Sequence, residues 1–113
     1  MGTVVLSVDA ELGWGFHDQA NPPSDRLANA HRGWRTLLEL CDTYQINATW
    51  AIVGHLLLDD CDGRHSDHPT PEDWFDHERG SNGHSRALRF GNGLIDERQN
   101  AATTHAIGLH TFS

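Results

Sequence analysis

Lysine is missing from this chain: all eight basic residues are arginine, set against eleven aspartates, five glutamates and a formal net charge of −8. A surface with that balance repels polyanions, which excludes a nucleic-acid-binding role. It also suits a chain bathed in concentrated salt, where screening offsets self-repulsion, although plain acidity leaves the same signature. No apolar run approaches the roughly 20 residues that a membrane-spanning helix needs. Nor is there a basic, apolar and small-residue leader pattern, because Met1-Gly2-Thr3 runs straight into Val4-Val5-Leu6, so the sequence reads as cytoplasmic. Cysteine is scarce. Cys41 and Cys61 stand apart, without knuckle or redox spacing, and read as ordinary thiols.

What is present, in 113 residues, is enough for one small domain or part of one. Val4, Val5, Leu6 and Val8 form a nearly continuous apolar run, which predicts a first strand over Thr3–Val8 covered on both faces of a parallel sheet. After Pro22-Pro23, Ser24 or Asp25 can cap a helix whose apolar positions Leu27, Ala30, Trp34, Leu37, Leu38 and Cys41 recur at helical spacing. A second strand follows over Ala48–Val53, ending at Gly54, and Leu56-Leu57-Leu58 can continue as a helical turn. From Asp59 to Gly93 the chain is polar and reads as a long excursion with one short helix near Glu72–Asp76. Helical character returns over Leu94–Ala102, ahead of a third strand over His105–Leu109. The expected class is α/β with parallel strands, either a doubly wound sheet or the opening of a barrel.

In both architectures the carboxyl ends of the strands form the functional face. Asp9 and Glu11 follow strand one, Gly54-His55 follow strand two and His110 follows strand three, so these polar groups are expected at one rim. Residues two apart on an extended chain share a side, which lets one carboxylate bind a metal while its neighbour acts as base. Hydrolytic zinc sites need about three nitrogen or carboxylate ligands and an open position for water. The alternative for such a pair is structural, capping a helix or meeting an arginine.

Three stretches carry a resemblance to a known family. Leu6-Ser7-Val8-Asp9-Ala10-Glu11, Ala48-Thr49-Trp50-Ala51-Ile52-Val53-Gly54 and Gly108-Leu109-His110-Thr111-Phe112-Ser113 are similar, in order and separation, to the first motif, second strand and histidine motif of the polysaccharide deacetylases. These are the carbohydrate esterases of family four, with the NodB-homology domain. The resemblance implies that residues 1–113 are the N-terminal portion of such a domain, an incomplete, distorted (β/α) barrel. It carries the catalytic base onto Asp9 and the metal ligands onto Glu11 and His110. The family's usual first motif has a second aspartate where Ala10 stands, so the acidic ligand falls one residue later, as in its D-x-E variants. The implied activity is hydrolysis of a non-peptide carbon-nitrogen bond, removing N-acetyl groups from carbohydrate with a divalent metal, usually zinc. The family's second metal histidine would come immediately after Ser113, so the 113-residue chain is expected to be inactive alone.

The remaining readings are secondary. Trp14, just beyond the acidic pair, offers an apolar face to a sugar ring or packs against the rim. Trp34 and Trp50 are core residues. His65, His68, His77 and His84 lie in the polar excursion without ligand spacing, and His17 and His55 are loop histidines near the rim; none enters the expected metal set. Asp59-Asp60-Cys61-Asp62-Gly63 lacks the alternation and distal glutamate of a calcium loop. Open sheet edges are expected to favour self-association. Two rival functions stay in view, an amidohydrolase acting on a small non-sugar amide and a non-catalytic carbohydrate-binding remnant.

Overall fold

The computed structural model describes residues 1–16, 19, 21, 23–69 and 87–112. Three strands, β1 (Ser7–Ala10), β2 (Thr49–Ile52) and β3 (Ala106–Leu109), pair in parallel in the order β1-β2-β3. The described residues therefore make a mixed α/β fold on an open sheet, not a closed barrel. The registers align Asp9 with Ala51 and Ala51 with Gly108, and Ala10 with Ile52 and Ile52 with Leu109, so the strands end level along one rim.

β1 begins later than the apolar run predicts. Pairing with β2 starts at Ser7, and just ahead of it the Leu6 carbonyl accepts the Thr49 N–H at 3.0 Å. Val4 and Val5 run past the partner strand and are 95% and 80% exposed, so they are not covered on both faces as expected. Strand length here follows the four residues of β2 available for pairing, because a backbone without a partner gains nothing from staying extended. On β3, Leu109 is 75% exposed.

Helix α1 (Ser24–Tyr44) lies against the sheet through the stripe that its sequence announces: Leu27, Trp34, Leu38 and Cys41 are buried, and Ala30 and Leu37 pack beside them. The Trp34 ring meets that of Trp50 on β2 at 4.9 Å between centroids. Neither Ser24 nor Asp25 caps the helix. Pro23 is the cap residue, its carbonyl accepting the Leu27 N–H at 3.0 Å, and Asp25 sits in the first turn, where the helix dipole favours an acid. At the other end Gln45 adopts φ 54°, and Ile46 and Gln45 donate to the carbonyls of Cys41 and Asp42, a left-handed stop usually given to glycine. No described helix is long and apolar enough to cross a membrane.

The short helix α2 (Asn92–Gln99) starts slightly earlier than expected and buries Leu94 and Ile95 in the same core. Arg35 donates to both oxygens of Glu97, joining α1 to α2; both side chains are substantially exposed, so this pair orients more than it stabilises. The helix expected near Glu72–Asp76 lies outside the described residues. A 3₁₀ turn over Gly54–Leu57 follows β2 directly and buries His55 and Leu56.

Asp42, at the end of α1, ties the helix to the segment leading into β3. Its carboxylate accepts the backbone N–H of Thr103 at 2.7 Å and of Ala102 at 3.1 Å. The Thr103 side chain first, then these N–H donors, hold the Asp42 carboxyl below its usual range. A depressed folded value means that the stabilisation is complete above the unfolded value, near pH 4, and disappears as pH falls through the folded value. Urea titrations of Asp42→Asn are therefore expected to show a shallower loss of stability as pH falls below about 4 than the parent chain. An unchanged slope would show that the clamp is not linked to acid unfolding.

Candidate functional site

The rim is built from the two ends of the chain. Along β1, Val8 and Ala10 turn toward the core while Asp9 faces away, its side chain 64% exposed. Glu11 follows, and Leu12 then takes φ 51° while buried, a left-handed geometry that costs a non-glycine residue roughly 1–3 kcal/mol. That bend is held from both sides. The Trp14 N–H donates to the Glu11 carbonyl at 3.0 Å within a 3₁₀ turn over Leu12–Phe16, and Gly13 packs so closely on the Leu88 backbone that a Cβ there would force a shift. Gly15 leaves room for the Glu11 carboxylate, which any larger residue would push aside.

From the other end, the His110 N–H donates to the Ile52 carbonyl at 3.0 Å, extending the β2–β3 ladder by one residue and setting the imidazole at the same rim. His110 Nε2 lies 3.7 Å from Asp9 Oδ2 and 3.5 Å from Glu11 Oε1. All three groups remain reachable by solvent, and a cleft of about 300 Å³ runs from Asp9 and Glu11 along Leu27 and Trp34 of α1, with Arg26 on its wall. The arrangement sets one imidazole within ion-pair distance of each of two carboxylates at a single rim.

Trp14 is placed differently from a sugar platform. It is 5% exposed, its indole N–H donates to the Arg89 carbonyl at 3.3 Å, the His55 ring lies 4.5 Å from it between centroids, and the Arg89 guanidinium sits 5.1 Å from its ring. Packing occupies the surface that a sugar ring would need. His17, His77 and His84 lie outside the described residues, and His68 contacts the Phe112 ring at 5.3 Å.

A second cluster, absent from the sequence reading, lies beside the rim. His55, Cys61 and His65 each offer one ligand atom, all within 4.8 Å of one another, and among the described residues they form a group that could hold a metal ion. His55 is fully buried on the 3₁₀ turn after β2. Cys61 and His65 lie four residues apart, a separation that by itself marks no ligand pair, and the third member is supplied from β2's end, so only folding brings the group together. His55 also joins the two sites: its N–H donates to the Phe112 carbonyl at 2.8 Å, beside Gly54 N–H to Thr111 at 2.6 Å, just beyond His110.

Comparison with protein-family models, curated proteins and solved structures finds no match to this chain.

Proposed function

We propose that this chain carries the base and two metal ligands of a metal-dependent amide hydrolase of the polysaccharide deacetylase type, acting on an N-acetylated carbohydrate. The reading takes β1–β3 as the first strands of a distorted (β/α) barrel. The observation that carries it is the convergence of Asp9 and Glu11, from the start of the chain, on His110 from its end, at the carboxyl-terminal rim of a parallel sheet.

The donor chemistry suits the group. An imidazole nitrogen with a carboxylate oxygen 3.5 Å away, as His110 and Glu11 supply, is a borderline-to-hard pair of a kind that accepts Zn²⁺ or Mn²⁺. Glu11 and His110, the less exposed pair, would hold the ion, and Asp9 would remain open to solvent as the base. Bound there, a divalent cation supplies Lewis acidity that polarises the amide carbonyl. Asp9 takes a proton from the attacking water, the water oxygen bonds to the acyl carbon, the carbon-nitrogen bond breaks, and the amine leaves with a proton while acetate is released. Gly15 and the Leu12 bend keep the Glu11 carboxylate aimed at the ion, and His110 is steadied by its backbone bond to β2.

The test is acetate release from N-acetylated oligosaccharides by the complete product of the gene, with and without added Zn²⁺ or Mn²⁺. Metal-dependent release that disappears in Glu11→Ala and in His110→Ala is the expected result. No release from any N-acetylated sugar, with release from a small non-sugar amide instead, would move the substrate class; no release from either would remove the hydrolase reading.

A further inference from the structure

The cluster next to the rim has the chemistry of a metal centre in its own right. His55 Nδ1 lies 3.1 Å from the Arg89 carbonyl oxygen. A carbonyl only accepts, so Nδ1 carries the proton, the tautomer that metal-binding histidines adopt when the far nitrogen is hydrogen-bonded to backbone. Cys61 Sγ accepts the Gly63 N–H at 3.3 Å, and Gly63 reaches it with φ 76°. His65 Nε2 is 2.9 Å from the same sulfur, so imidazole and sulfur point at one volume.

Aromatic rings enclose that volume. Phe90 and Phe112 stand edge-on to His55, at 5.2 and 5.8 Å between centroids, Trp14 tilts against its ring, and Phe112 also meets His65 at 5.2 Å. Low polarity around the donors strengthens a cation's attraction to thiolate and limits competition from water. His65 also borders a cleft of about 380 Å³ shared with His68 and Phe112.

We propose that His55, Cys61 and His65 bind a zinc ion that fastens the Asp59–His65 loop to the end of β2 and thereby braces the rim carrying Asp9, Glu11 and His110. One thiolate with two imidazoles selects Zn²⁺ over Mg²⁺, Ca²⁺ or Mn²⁺, which prefer oxygen. The bracing follows from the covalent and hydrogen-bonded neighbours of His55: its N–H holds Phe112, two residues beyond His110, and its ring holds Trp14, whose N–H closes the turn after Glu11. This centre does not depend on the rim being a deacetylase.

Cobalt titration of the purified chain provides the test. One equivalent of Co²⁺ is expected to produce a thiolate-to-metal charge-transfer band, displaced by Zn²⁺. Cys61→Ser should abolish the band, and His65→Gln should weaken displacement of the band by Zn²⁺ by at least about a hundredfold, whereas Glu97→Gln, in the exposed pair with Arg35 and remote from both clusters, should leave both unchanged. Zinc should also raise the melting temperature of the parent chain and of Glu97→Gln by more than that of Cys61→Ser. If Cys61→Ser does not fold, His65→Gln and the parent titration decide alone. No charge-transfer band in the parent, or a band untouched by His65→Gln, would overturn the proposal. So would a thiolate present without metal and indifferent to Zn²⁺, which would make Cys61–His65 an ion pair only.

Discussion

Under the proposed hydrolase reading, Asp9→Asn is expected to lower turnover in the complete gene product by roughly 10²- to 10⁴-fold, the usual worth of a positioned general base, without loss of metal binding. The substitution is nearly isosteric but replaces a charged carboxylate with a neutral amide, removing the negative charge together with the proton-accepting oxygen. Asp9 sits on the exposed face of β1 with its side chain 64% exposed, so its replacement leaves the core untouched and should not change the melting temperature appreciably. Binding of Mn²⁺, followed by electron paramagnetic resonance, separates this residue from its neighbours. Asp9→Asn should retain it, and Glu11→Ala or His110→Ala should lose it. Full activity in Asp9→Asn would take the base role away from Asp9; loss of both activity and Mn²⁺ would make it a ligand instead.

Trp50→Ala is expected to cost about 3–5 kcal/mol, the range for deleting a large buried aromatic. Trp50 is fully buried at the centre of the middle strand, stacked on Trp34 of α1 and edge-on to His105 at 5.9 Å. The cavity would open between the sheet and its covering helix, beside the buried rings of Trp34 and His105. Since small domains are stable by only about 5–15 kcal/mol in all, the variant should unfold at a much lower urea concentration, and Trp50→Phe, which refills most of the space, should recover a large part of the loss. A shift of under about 1 kcal/mol would mean that α1 closes over the gap.

Much of this architecture was legible residue by residue. The stripe Leu27, Trp34, Leu38, Cys41 announced α1 because a helix repeats every 3.6 residues and a buried face must follow that period. The short apolar runs announced β2 and β3 with accurate bounds. β1 was displaced by several residues, since apolar character marks where a strand can form but pairing marks where it does. The capping of α1 was misread at Ser24 and Asp25 for a related reason: a cap depends on backbone angles at Pro23 that composition does not show.

The candidate site divides in the same way. The Asp9-Ala10-Glu11 pattern and His110 were recognisable from residue type and position after a strand, and their resemblance to a deacetylase motif rests on those residues. Trp14 was not assignable, because whether an aromatic ring faces a ligand or a neighbour depends on what the fold stacks on it, here His55 and Arg89.

By itself the order of amino acids established an acidic, lysine-free α/β chain with one long amphipathic helix, because charge and periodicity are properties of the chain alone. Folding decided that His110 lies 3.5 Å from Glu11 and that His55, Cys61 and His65 share one volume. Parallel register sets the first distance and a 3₁₀ turn against a loop sets the second, and neither is written in any local run of residues.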